Sequence, residues 1–276
     1  MAAATSHRPP RAPGFIGREA ELALVRGLLR QSRLVTVTGP PGVGKTRLAL
    51  RTTDELAGRP EQADRFGDGV HVIELSTVRD PGLLAGAIAA GLTGAGLTGA
   101  AEPDGAEDGA GSPLSRLLGF LRDRRLLLLL DTCEHLVDEC AALADAVLRA
   151  APGVAILATS RQPLDTAGEA VFQLRPLPVP APETAAASQA DAVVLFAQRA
   201  AAAVPGFALT PGNLQDVITV CRRLDGLPLA IELAALRLHA LPLPQLAARG
   251  DDRLGLLTGA RRSGPPRHQT LRAAIE

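Results

Sequence analysis

Three observations predict an α/β fold, a parallel sheet flanked by helices, followed by a small all-helical domain. Residues 34–38 (LVTVT) form a short β-branched run that passes through glycines into a helical pattern. Residues 126–130 are five leucines without alternation, the pattern of a strand buried on both faces of a parallel sheet. Beyond residues 176–182 (PLPVPAP), a stiff extended connector, every periodic segment is helical.

Taken in order, residues 1–13 read as a disordered leader. Phe15-Ile16-Gly17-Arg18-Glu19 opens a helix with Leu22, Val25, Leu28 and Leu29 at helical spacing, and Glu19 and Glu21 complement the dipole of its first turn. Strand 34–38 and the glycine loop lead to a helix from Lys45, where Leu48, Thr52 and Leu56 share a face. A polar connection covers 58–69, a second strand 70–75, and Asp80-Pro81 starts a helix over 83–92. Residues 93–113 are mainly Gly, Ala, Asp, Glu, Ser and Thr, which predicts a flexible surface insertion. Helix 114–121, strand 125–130, helix 136–148, strand 154–158 and an edge strand 170–174 complete the α/β domain. Helices 190–203, 213–224, 228–238 and 244–248 follow, broken at Asp225-Gly226-Leu227-Pro228 by a helix stop and a first-turn proline. Residues 261–268 are basic and Pro-rich, and 271–276 begin a helix where the chain stops, which reads as a truncation.

Composition narrows the function. The apolar fraction of 46% is ample for a core, yet six Phe with no Tyr or Trp leave few stacking platforms for single-stranded nucleic acid. Twenty-nine basic and 29 acidic residues cancel, so no charge footprint for nucleic acid or an anionic membrane is expected. Cys133, Cys140 and Cys221 suit reduced, buried thiols better than a disulfide framework. The N-terminus has no apolar signal region and no run is long enough to cross a bilayer, which together predict a soluble, cytoplasmic chain.

The chemistry centres on residues 34–50. Gly39, Gly44, Lys45 and Thr46 fit G-x-x-x-x-G-K-[ST] between a strand and a helix, as a P-loop NTPase requires. Glycines 39, 42 and 44 let backbone N–H groups approach phosphate oxygens at a helix N-terminus. Lys45, the chain's one lysine, would reach the β- and γ-phosphates of ATP as a compact point charge, and the Thr46 hydroxyl would bind Mg²⁺. Val43 and Arg47 complete the set of candidate nucleotide contacts. Downstream, Asp131 closes the leucine strand, either holding Mg²⁺ or forming a capping box with Glu134 for the next helix. Glu134 could polarise an attacking water or merely cap. Arg161 follows the fourth strand, at the carboxyl edge where open α/β sheets bind ligands, as a γ-phosphate sensor or a solvated loop arginine.

The order FIGRE, TVTGPPGVGKTRLAL, LLLLLDTCEHL, ILATSRQPL, DGLPLAIELAA and RHQTLRAAIE resembles the signal-transduction ATPases of the NB-ARC and STAND group, and more closely the ATPase core of actinobacterial LuxR and SARP (AfsR-like) transcriptional regulators. The resemblance implies an AAA+/STAND-like fold over residues 14–176, a helical domain over 177–260, and the start of a winged helix over 261–276. It implies that Ile16, Gly17 and Arg18 lie against the base and sugar, that Arg161 senses the γ-phosphate, and that Pro228 contacts the adenine. The group commonly carries Asn or Asp after the strand-ending aspartate, where this chain has Thr132. The expectation is a switch that binds ATP or ADP between the two domains and hydrolyses ATP slowly. In the ATP state it would self-associate or contact regulatory domains, without touching nucleic acid itself. A P-loop small-molecule phosphotransferase and a chromosome-associated AAA-type ATPase are the alternatives.

Overall fold

The leucine run forms the heart of a five-stranded sheet in the computed structural model, which describes residues 14–57, 65–94, 112–181, 184 and 186–248. Strands β1 (Leu34–Thr38), β2 (Val70–Glu74), β3 (Leu127–Asp131), β4 (Ala155–Thr159) and β5 (Glu169–Gln173) are all parallel. Their order is β2-β3-β4-β1-β5, so β4 separates β1 from the strand that ends in Asp131. Every residue of β1, β3 and β4 is buried, which explains the unbroken leucine run of β3. The edge position expected for the last strand is observed, with β5 paired to β1 alone.

Helices α1 (Glu19–Gln31), α2 (Lys45–Ala57), α3 (Leu84–Gly94), α4 (Pro113–Leu121) and α5 (Val137–Ala150) accompany the sheet. Ile73, Leu128, Leu130 and Ile156 pack in one cluster with Ile88, Leu117, Leu121 and Leu143 of α3, α4 and α5. Each such leucine contributes about 1.5–3 kcal/mol by leaving water.

Two local expectations are corrected. Helix α1 opens at Glu19 rather than at Phe15, because Gly17 (φ 62°) and Arg18 (φ 70°) are left-handed and cannot continue a right-handed helix. The capping box of Asp131 and Glu134 does not form, since α5 starts only at Val137 and Leu136 precedes it without a side-chain cap. Cys133 therefore shares no helix with Cys140, yet both are buried. The hydrogen bond between them, with burial, holds the Cys133 thiol well above its usual range, and burial pushes Cys221 up to about 12.

The described residues group into two compact units. The first draws on Arg18–Gly39 and the described residues of Lys45–Leu174, the second on Gly14–Gly17, Pro40–Gly44 and the described residues from Arg175 to 248. The two short segments thus join the helical unit, although their place in the chain suggested the α/β domain. Within that second unit, α6 (Asp191–Ala203), α7 (Leu214–Arg223), α8 (Pro228–Leu236) and α9 (Leu243–Ala248) bury Phe196, Val217, Ile218, Cys221, Ile231 and Leu246, and Ile16 packs against the same core. The break between α7 and α8 needs its glycine. Gly226 has φ 67°, and a Cβ there would meet the Leu177 carbonyl oxygen at 2.1 Å. The leader (1–13), most of the insertion (93–113) and the winged-helix start (261–276) lie outside the described residues.

Candidate functional site

Between β1 and α2 the backbone turns at Gly39 (φ 146°), Gly42 (φ 75°) and Gly44 (φ 102°), conformations that side-chain-bearing L-residues rarely adopt. Lys45, Thr46 and Arg47 are the first three residues of α2, whose leading N–H groups have no acceptor inside the helix. The Lys45 ammonium is buried and donates to the Gly39 carbonyl at 2.9 Å. Burial lowers the Lys45 pKa. The neighbouring Glu134 charge opposes that fall most strongly, Arg161 reinforces it, and Asp131 also opposes it.

Strand register assembles the rest of the first unit's site. Leu130 lies opposite Ala158, and Val37 opposite Thr159, so Asp131, Thr159 and Thr38 emerge along one edge of the sheet. The Thr46 hydroxyl donates to Asp131 Oδ1 at 2.7 Å, and the Thr159 hydroxyl donates to the same oxygen at 2.7 Å. Just beyond, Arg161 Nε lies 3.6 Å from Glu134 Oε1, with the arginine half exposed; the other oxygen, Oε2, is buried without a hydrogen-bond partner.

The first unit therefore brings together Gly39, Lys45, Thr46, Asp131, Glu134 and Arg161. Arg18 is buried in the same unit, with its guanidinium 2.9 Å from the Glu21 carboxylate. Arg47, in the first turn of α2, also lies in the first unit, and Ile16, Gly17, Gly42, Val43, Gly44 and Pro228 belong to the second. There Val43 is buried, and Gly42 offers its carbonyl to the Leu229 N–H at 3.2 Å, a first-turn donor left without an intrahelical acceptor beside Pro228. The Asp191 carboxylate occupies the space where a Cβ on Gly17 would stand. Sequence reasoning missed Thr159, which stands unremarked within the stretch ILATSRQPL. Its signal was a hydroxyl closing an otherwise apolar buried strand.

The oxygen donors at Thr46 and Asp131 suit a hard cation such as Mg²⁺, which takes one or two protein oxygens plus phosphates and waters rather than a cage of side chains. The described residues contain no cluster of three or more His, Cys, Asp or Glu that could hold a metal ion.

In this chain β4 lies between β1, which leads into the glycine loop, and the strand that ends in Asp131, and residues 14–223 match the AAA ATPase domain family. The chain belongs to the AAA ATPase domain family. Among relatives of this AAA ATPase domain, the Mycobacterium tuberculosis protein Rv0890c, named a candidate HTH-type transcriptional regulator, is 38% identical over 91% of this chain and 25% of its own length. The uncharacterised Rv0894 of the same organism is 38% identical over 95% of the chain and 60% of its own length. The chain thus spans about a quarter of the named regulator. Solved structures share the fold. The Walker-type ATPase paby2304 of Pyrococcus abyssi gives a TM-score of 0.55 at 15% identity, covering 90% of this chain and 75% of that one. The STAND protein PH0952 of Pyrococcus horikoshii, with a tetratricopeptide repeat sensor, gives 0.52 at 16% identity, covering 84% and 31%. Among the described residues, no helix is long and apolar enough to cross a membrane.

Proposed function

We propose that this AAA ATPase domain is a nucleotide-dependent switch of the STAND and NB-ARC kind, serving a transcriptional regulator of the LuxR or SARP type. The observation that carries the reading is the convergence of Lys45, Thr46, Asp131, Glu134 and Arg161 at the ends of β1, β3 and β4. Lys45 and the loop N–H groups bind the phosphates, and Thr46 and Asp131 hold Mg²⁺, which when bound neutralises phosphate charge. Ile16, Gly17, Arg18 and Pro228 serve the base and sugar, with Val43 and Arg47 flanking the loop.

The switch logic is a difference in contacts. Lys45 and Arg161 have a γ-phosphate to bind only when the nucleotide is ATP, so only ATP rewards the conformation that presents both. In the structure the Lys45 ammonium lies on the Gly39 carbonyl and Arg161 beside Glu134. Glu134 orients an attacking water and accepts its proton, and slow hydrolysis resets the switch. The ATP state is the one that self-associates or engages regulatory domains.

The test is to purify the chain gently, denature it and count the released nucleotide. Close to one ADP per chain is expected. An empty protein that turns ATP over rapidly would overturn the switch reading in favour of an ordinary enzyme.

A further inference from the structure

A single hydroxyl ties Asp131 to the backbone that follows it. Thr159 Oγ1 donates its proton to Asp131 Oδ1 at 2.7 Å and accepts from the Thr132 N–H at 2.9 Å. A hydroxyl has one proton and two lone pairs, so the bond from Thr132 leaves the Thr159 proton no competing use and points it at the carboxylate. The same residue is gripped through its main chain, since its carbonyl accepts from the Cys133 N–H at 2.8 Å, and its register partner on β1 is Val37. As a β-branched residue in a buried strand, Thr159 has little rotamer freedom.

The backbone it secures is unusual. Thr132 stands at φ 70°, a left-handed conformation that is a genuine outlier for a β-branched residue. Such conformations persist where the surroundings over-determine them, and they gather at functional sites. Here the turn at Thr132 carries the chain from Asp131 to Glu134.

We propose that Thr159 is a positioning residue, holding Asp131 in the orientation that receives the divalent cation of a bound nucleotide. The inference rests on the nucleotide-binding reading above. Two donors converge on Oδ1, but they are not equivalent. Thr46 can keep donating while its lone pairs turn to a cation, whereas Thr159 already spends a lone pair on Thr132 and serves only to fix the carboxylate. Partners of this kind, which orient a metal ligand without touching the metal, typically change metal affinity by about 10–100-fold when removed.

The experiment compares wild type, Thr159→Val and Thr159→Ser by calorimetric titration with ADP, with and without Mg²⁺, and follows hydrogen exchange at the Thr132 amide by NMR without nucleotide. Valine keeps the shape and loses the hydroxyl; serine keeps the hydroxyl. The expected result is that Thr159→Val binds ADP without Mg²⁺ within about twofold of wild type but loses about tenfold or more of the tightening that Mg²⁺ confers. Thr132 should also exchange faster in that variant, and Thr159→Ser should restore both properties. Mg²⁺-dependent tightening equal to wild type in Thr159→Val, or equal losses in the valine and serine variants, would overturn the proposal. Should Thr159→Val fold poorly, the titrations are repeated in Thr132→Gly/Thr159→Val against Thr132→Gly, where glycine removes the strain, with the same outcomes deciding. A wild-type chain that binds no nucleotide would overturn the switch reading and this role together. Wild-type ADP binding beside an unaltered valine variant would overturn this role alone.

Discussion

The ammonium of Lys45 donates to the carbonyl of Gly39 across 2.9 Å, so the chain's one lysine folds back onto the loop that precedes it. Nearly the whole side chain is buried, and its neighbours Glu134, Arg161 and Asp131 are charged. A cation held this way is poised to exchange a carbonyl for a phosphate.

Lys45→Ala is expected to weaken ADP and ATP binding by about 2–5 kcal/mol, the usual consequence of leaving a desolvated charge without its partner. Titration calorimetry reads the loss directly. Nucleotide affinity matching wild type would refute the phosphate-loop assignment.

Thr132→Asn should stabilise the fold. Asparagine tolerates the left-handed conformation that costs threonine about 1–2 kcal/mol. For a chain of this size each kcal/mol moves the melting temperature by about 2–4 °C. A lower melting temperature in the asparagine variant would show that Thr132 is not strained.

Gly42→Ala and Gly168→Ala form a matched pair. Both glycines are left-handed, at φ 75° and 77°, but a Cβ at Gly168 meets nothing within 4 Å, whereas one at Gly42 meets Leu229 Cβ at 3.0 Å. Gly168→Ala should lose about 1–2 kcal/mol of stability from backbone conformation alone. Gly42→Ala should lose more, and should also bind nucleotide less well. Equal losses in chemical denaturation would mean that the Leu229 contact yields freely.

His71 gives a pH dependence with a definite sign. Its ring is buried in β2, where Nε2 meets the Asp68 carbonyl at 2.8 Å and Nδ1 has no hydrogen-bond partner. Desolvation lowers its pKa in the folded chain. The unfolded chain therefore takes up the proton first as pH falls below about 6.5, and stability declines from there until the lowered folded value is passed, by at most about 1.4 kcal/mol per pH unit. His71→Gln should remove this component. An unchanged slope between wild type and variant would show that His71 does not contribute it.

Much of this organisation is legible in the sequence because a buried parallel strand has to be written as an apolar run. Residues 126–130 advertise β3, and the glycines after Thr38 advertise the phosphate loop. The beginning of α1 is not legible, because the left-handed turns at Gly17 and Arg18 depend on surroundings that no local pattern encodes. Strand order is hidden for a related reason: pairing β4 between β1 and β3 is a long-range event. Without that order, Thr159 is simply the end of a strand. With it, the residue stands beside Asp131.

That interposed strand also limits how this unit can respond to a ligand. β4 is laddered to β1 on one side and β3 on the other, with all three buried from end to end. Sliding any one of them would break two ladders at once and turn its core-facing residues out of register. The three strands behave as a stiff plate, and the working parts are confined to its rim: two hydroxyls, two carboxylates, one ammonium and one guanidinium. Any message this unit sends starts as an exchange of hydrogen-bond partners along that rim, within ångströms of the plate and without deforming it.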